Sequence, residues 1–346
     1  MSAPIRVGVF ITNQQYLDKD MVSAFDEQIA MVRMARDHGW DSVFSGQHYL
    51  NEGNNQQLQS VPLLARLSAE AGEMTVGLGV LLLNLHNPVY VAETVASLDV
   101  ICRGNFVFGV GLGYREVEFD AFAVPKGTRL RRFEQCLEVV QRLWSEDEVT
   151  FENEVCKLTK VRMNLKPIQR PRPPIWYAAN NDKAVQRAAH QGDTWFVNPH
   201  ATQATLSRQM DLYRAELKRL GKPFPTVLPC AKEVFCAKDR KTAVEMAGPY
   251  LAGKYQDYAK WGQDKVMPTG ESFGQPFEEL LRDRFVLGSP EECYEQLKPI
   301  ITGMGVNHLL IRTHWAGMPL SSALSSMRLI SNELMPELRK LKAAVK

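Results

Sequence analysis

Three kinds of residue in this chain stand where they could do chemistry. His48, in SGQHYL, lies just past a short apolar run, where an imidazole can give or take a proton near neutral pH. The same position also suits a loop histidine with no role. Gly77, Gly79, Gly109, Gly111 and Gly113 crowd the two stretches VGLGVLLL and FGVGLGY. Glycine weakens a strand, so its repetition means either a flat ligand against bare backbone or close packing between strands. Arg129 opens a helical stretch, and Asn180 and Asn181 stand immediately before another. A guanidinium beside the amides of a helix start is a natural seat for a phosphate. The plainer readings are a solvated basic helix start, with Arg131 and Arg132 close by, and an asparagine N-cap. Asp182, one residue further on, opposes a phosphate by its charge.

A second tier of residues offers walls rather than reactivity. Tyr49 and Tyr114 follow strand-like runs, as do His86 in LNLHNPVY and His314 and Trp315 in RTHWAG. A pocket lined by Phe10, Tyr49, His86, Trp195 and Trp315 would suit a small apolar or aromatic compound. No serine elbow, carboxylate pair or metal-ligand triad is present, so hydrolase and metal chemistry have no foothold. The six cysteines are scattered without a Cys-x-x-Cys and read as buried thiols of a reducing compartment. With 41 basic and 39 acidic residues the chain has no charge excess to attract nucleic acid. The longest apolar run, residues 76–85, contains two glycines and is too short to span a bilayer. MSAPIRVGVF enters a strand-like stretch without a signal segment, so a soluble cytoplasmic protein is expected.

The elements that must position these residues follow a repeated rhythm. Short β-branched or apolar runs at 5–11, 41–44, 75–83, 105–110, 175–178, 193–197, 227–236 and 306–312 are predicted strands. Helical spacing fills 24–38, 61–71, 88–101, 130–145, 182–191, 204–220, 290–301 and 320–341. A hairpin is expected around Asn153-Glu154. Eight strands alternating with helices predict an α/β fold, a (β/α)8 TIM barrel, running as one domain over residues 1–346. An open doubly wound sheet is disfavoured, because the first strand is not followed by a glycine fingerprint opening a helix. Residues 253–284 have no clean period and are expected to form a lid-like insertion before the eighth strand. In such a barrel the site lies where the strands end and their loops begin.

Several stretches together resemble one family. TVGLGVLLLNLHNPVYVAETVASLD, NFVFGVGLGYREVEFDAFAV, RLRRFEQCLEVVQRLW, PPIWYAANNDKAVQRAAHQGD, GSPEECYEQLKPIITGMGVNHLLI and SSMRLISNELMPEL are similar, in the same order, to luciferase-like monooxygenases. The resemblance covers nearly the whole chain. It implies that His48 is the active-site histidine and that Gly79-Val80 is a non-prolyl cis peptide beneath a flavin ring. Gly111 and Gly113 would stand with it against the cofactor. It further implies that Arg129, Asn180 and Asn181 bind the FMN phosphate, and that residues 253–284 are the mobile active-site loop. The implied activity is that of a two-component monooxygenase. Reduced FMN from a separate flavin reductase reacts with dioxygen, and the resulting flavin peroxide oxygenates a small organic substrate. Two other activities occur on the same family pattern: hydride transfer with the deazaflavin coenzyme, and flavin binding without catalysis. A homodimer or heterodimer is the family habit. The chain departs from the pattern at Arg103-Gly104-Asn105-Phe106, where Gly-Gly-Arg-Phe is usual, with Arg103 a nearby substitute for the missing arginine. It departs again at Gln47 and Tyr49, and these changes count against light emission with a long-chain aldehyde.

Overall fold

The computed structural model describes residues 4–344. Eight parallel strands close into a barrel: β1 (Arg6–Ile11), β2 (Ser42–Ser45), β3 (Thr75–Leu78), β4 (Phe106–Gly111), β5 (Ile175–Ala179), β6 (Thr194–Val197), β7 (Pro229–Cys236) and β8 (His308–Arg312). Each pairs with its neighbours in chain order, β8 pairs with β1, and β4 with β5, which completes the ring. The helices outside it are α1 (Met21–Asp37), α2 (Ser60–Ala71), α3 (Pro88–Ile101), α4 (Arg129–Ser145), α5 (Asp182–Gln191), α6 (Gln203–Arg219), α7 (Arg240–Lys260) and α8 (Pro290–Thr302). A last helix, Leu320–Leu329, continues through a π turn at Ile330–Leu334 to Leu338. Among the described residues no helix is long and apolar enough to cross a membrane.

The period of two along each strand sorts residues into two cores. In β1, Val7, Val9 and Ile11 join the large cluster between barrel and helices, while Phe10 joins a smaller cluster inside the barrel. Trp195 follows the outward phase of β6 and Phe196 the inward one. The interior cluster is aromatic: Phe44 stacks on Trp176 with ring centroids 5.0 Å apart, and Phe196 meets both edge-on. Small neighbours make the room. A Cβ on Gly77 would lie 2.0 Å from the Phe44 ring, and one on Gly109 1.8 Å from the Leu78 carbonyl oxygen. For these two glycines close packing is the explanation.

Two sequence expectations shift and a third holds. The third strand does not run unbroken over 75–83. It stops at Leu78, crosses a cis peptide at Gly79-Val80, resumes at Leu81–Leu82 and turns into a 3-10 helix at Leu83–Leu85. The insertion begins later than residue 253, because Gly253 lies inside α7, a helix of 21 residues. Gly248, Pro249 and Gly253 interrupt its pattern in the sequence. Of its buried aromatics, Tyr258 also faces the cavity, which blurs any single apolar stripe. The irregular excursion is therefore 261–285, followed by a short strand, Val286–Gly288, that extends β7. The hairpin is present as Val149–Glu152 against Lys157–Val161, its turn held by Asn153.

Candidate active site

A cavity of about 270 Å³ opens at the C-terminal ends of the strands, as barrel geometry requires. His48, Gly79, Val80, Gly111, Gly113, Arg129, Asn180 and Asn181 all line it. The eight residues singled out from the sequence thus converge on one space. Phe10, Tyr114 and Trp315 share its wall. Three other expected wall residues do not. Trp195 is buried on the outer face of β6, its indole N–H donating to the Ala179 carbonyl at 3.2 Å. Tyr49 and His86 lie around a separate small cavity behind Gln47, where burial lowers the His86 pKa to about 4. His314 is buried with Nε2 3.0 Å from the Met318 carbonyl oxygen. Arg103 is exposed before the N-terminal end of β4, the wrong end of the barrel to replace an arginine at the site.

His48 is held by a residue that sequence reasoning missed. Its Nδ1 lies 3.0 Å from Glu118 Oε1, and the same oxygen accepts the Tyr49 backbone N–H at 2.8 Å. A carboxylate accepts, so Nδ1 carries the proton and Nε2 is the free ring nitrogen. Glu118 is fully buried on the short helix Glu116–Ala121. Arg115 fixes that helix to the His48 loop by donating to the Tyr49 and Leu50 carbonyls at 2.7 and 2.9 Å. The available signal was the Arg115/Glu118 spacing of three in YREVEF after the fourth strand. Trp261 of the excursion lies against the Arg115 guanidinium, its ring centroid 4.5 Å away, and close to the His48 ring.

The β4–β5 end is built for an anion. Arg129 is the first residue of α4, and Thr128 before it makes no side-chain cap bond. Asn181 is the N-cap of α5, its Oδ1 accepting the Ala184 N–H at 3.0 Å, so the bland reading of this asparagine holds. Asp182 turns away: Arg208 takes both its oxygens, at 2.7 and 2.9 Å, and its charge does not burden the site. Arg187, one turn into α5, also lines the cavity, and its Nε is buried with no partner. That orphaned donor is what a bound phosphate would satisfy. Next to it, Gly79, Val80 and Gly111 line the cavity, with Gly113 at φ +72° beyond. A cationic, anion-binding end and a glycine-lined wall fit a flavin mononucleotide. Among the described residues no cluster of metal-binding side chains occurs.

At β7 and β8 a second charged group was not anticipated. Glu233 and Arg312 are direct cross-strand partners. Lys254 reaches Glu233 from α7, on the helical stripe Tyr250, Lys254, Asp257, Tyr258 that lines the cavity. Trp315 Nε1 donates to the other Glu233 oxygen at 2.6 Å. Burial pulls the Glu233 carboxyl upward, but Lys254 and Arg312 outweigh it and hold it below the usual carboxylate range. Burial, and then Arg312, lower the Lys254 pKa to about 7.

Comparison with known proteins agrees with this architecture. The chain is 22% identical over 353 residues to the oxygenase component of a flavin-dependent trigonelline monooxygenase from Acinetobacter baylyi, covering 96% of this chain and 95% of that one. Its fold matches the FMN complex of the oxygenating constituent of 3,6-diketocamphane monooxygenase from Pseudomonas putida. There the TM-score is 0.78 at 16% identity, over 97% of this chain and 99% of the other. An F420-dependent secondary alcohol dehydrogenase shares the fold at TM-score 0.76 and 17% identity, over 96% and 98% of the two chains. A family model described as luciferase-like monooxygenase matches residues 5–308. The chain belongs to the luciferase-like monooxygenases, and it is an oxidoreductase.

Proposed function

We propose that this chain is the oxygenase of a two-component, FMN-dependent monooxygenase acting on a small organic substrate, with a separate flavin reductase as its partner. The observation that carries the reading is one cavity joining the Arg129–Arg187 anion end, the glycine-lined wall and the His48–Glu118 pair. Bound reduced FMN supplies the electrons that activate dioxygen. The residues of the chain do the rest. Arg129 and Arg187, with the α5 start at Asn180 and Asn181, hold the phosphate. Gly79-Val80 and Gly111 bare the backbone to the ring. Phe10, Phe196 and Trp315 keep the space apolar. Glu118 fixes His48 so that Nε2 holds or moves a proton at the reacting centre. The Acinetobacter relative is an oxygenase component, which supports the separate reductase. One domain over the whole chain, assembled as a homodimer or heterodimer in the cytoplasm, completes the proposal.

The F420 enzyme with the same fold makes deazaflavin-dependent hydride transfer the second reading. Titrating the purified chain with reduced FMN, oxidised FMN and the deazaflavin coenzyme tests the two. Tight binding of reduced FMN with weak deazaflavin binding is the expected result. Preference for the deazaflavin overturns oxygen chemistry.

A further inference from the structure

The β7–β8 wall holds more positive charge than it neutralises. Glu233 is fully buried between Lys254, 11% exposed, and Arg312, 15% exposed. Both of its oxygens are occupied, one by Lys254 and the other by the Trp315 indole. Arg312 sits 3.5 Å from the Lys254-bound oxygen, a long contact, and its Nε is buried with no partner. Its guanidinium carbon lies over the Phe10 ring, 4.3 Å from the centroid. The neighbouring charges do not relieve it. Lys232 points to the Arg284 carbonyl, and Asp257 accepts from the Asn55 amide at 2.8 Å. Two cations share one carboxylate inside an aromatic-walled space, and a buried charge left unpaired is unfavourable.

Resting on the oxygenase reading of the cavity, we propose that this wall is a carboxylate-binding subsite. The substrate is an organic acid whose carboxylate is taken by Arg312 and Lys254 and whose apolar or aromatic body lies against Phe10 and Trp315. A planar guanidinium fork matches a carboxylate in two parallel hydrogen bonds, and the phenyl ring beneath holds that fork in place. The cofactor phosphate does not compete for this position. Its own donors stand at β4 and β5, three strands round the ring. Glu233 serves to orient the two cations rather than to meet the substrate.

The test uses benzoate and its neutral isostere benzamide, titrated calorimetrically into the chain with and without FMN. Benzoate is expected to bind about ten-fold or more tightly than benzamide, the worth of one charge-assisted contact. Arg312→Met is expected to erase that preference, while Arg187→Met keeps it. Lys254→Met provides a second reading of the same wall if Arg312→Met does not fold. Equal affinity for the two probes overturns the proposal. So does a preference lost in Arg187→Met but kept in Arg312→Met, which would place benzoate in the phosphate seat. Loss of reduced-FMN affinity in Arg312→Met with the benzoate preference intact overturns it too, assigning the charge to the flavin. A chain that prefers the deazaflavin yet still discriminates benzoate from benzamide sinks the oxygenase reading alone.

Discussion

At the β4–β5 end of the cavity the cations come from helix starts, and one of them keeps a buried N–H without a partner. At the β7–β8 wall two charges face each other across adjacent strands, and a third arrives from a long helix to brace them. The first arrangement is open and generic: helix starts and arginines serve any phosphate, and the Arg187 Nε has no internal partner. The second is already connected through Glu233, so its geometry exists before any ligand arrives. A common cofactor needs only a seat. A particular substrate needs donors fixed in direction, and fixing them requires internal partners.

That contrast can be broken or sharpened by substitution. Glu233→Gln should do the most damage, because it leaves Lys254 and Arg312 buried side by side without their carboxylate. A loss of about 3–5 kcal/mol in urea unfolding is expected, and a loss below about 1 kcal/mol would show that the wall is not braced as described. His48→Ala belongs to neither region. It should lower turnover about a hundred-fold or more while leaving the affinities for FMN and benzoate unchanged, and unchanged turnover would remove His48 from the chemistry. Arg187→Met should weaken FMN binding about ten- to a hundred-fold, with little effect on stability, since the guanidinium Nε has no internal partner to lose.

The smallest effect is a pH dependence. Lys254, with its pKa lowered to about 7, is charged below that pH and neutral above it. Benzoate affinity should therefore hold below pH 7 and fall a few-fold as pH rises through it, and Lys254→Met should flatten the profile. The groups facing Lys254 do not confuse the reading. Burial drives His200 well below its ordinary range, Tyr255 and Tyr258 are raised, and Glu233 is held down. Arg312 stays charged throughout.

How legible each region was from sequence follows from its construction. Strand alternation and helix starts are local features, so the barrel could be read from spacing, while loop position only made His48, Arg129 and Asn181 candidates that the family resemblance then singled out. Helix boundaries at Pro88–Ile101 and Asp182–Gln191 matched to the residue, because a proline at N1 and an acidic N-terminal turn mark them. Glu233, Lys254 and Arg312 are distant in the chain and meet only through strand register and the docking of α7. Glu118 was hidden for the same reason: its link to His48 spans 70 residues. Trp195 shows the converse error. Its place near a strand end suggests cavity wall, but one step of phase in β6 turns it outward and Phe196 inward.

The aromatic plug of Phe44, Trp176 and Phe196 has a kinetic meaning. A barrel stoppered at its floor leaves the cavity opening at the loop end, among the described residues. Whatever occupies the depth must enter before, and leave after, whatever occupies the mouth. Ligand order is thereby imposed by a queue in space, and a late arrival at the mouth traps what came first.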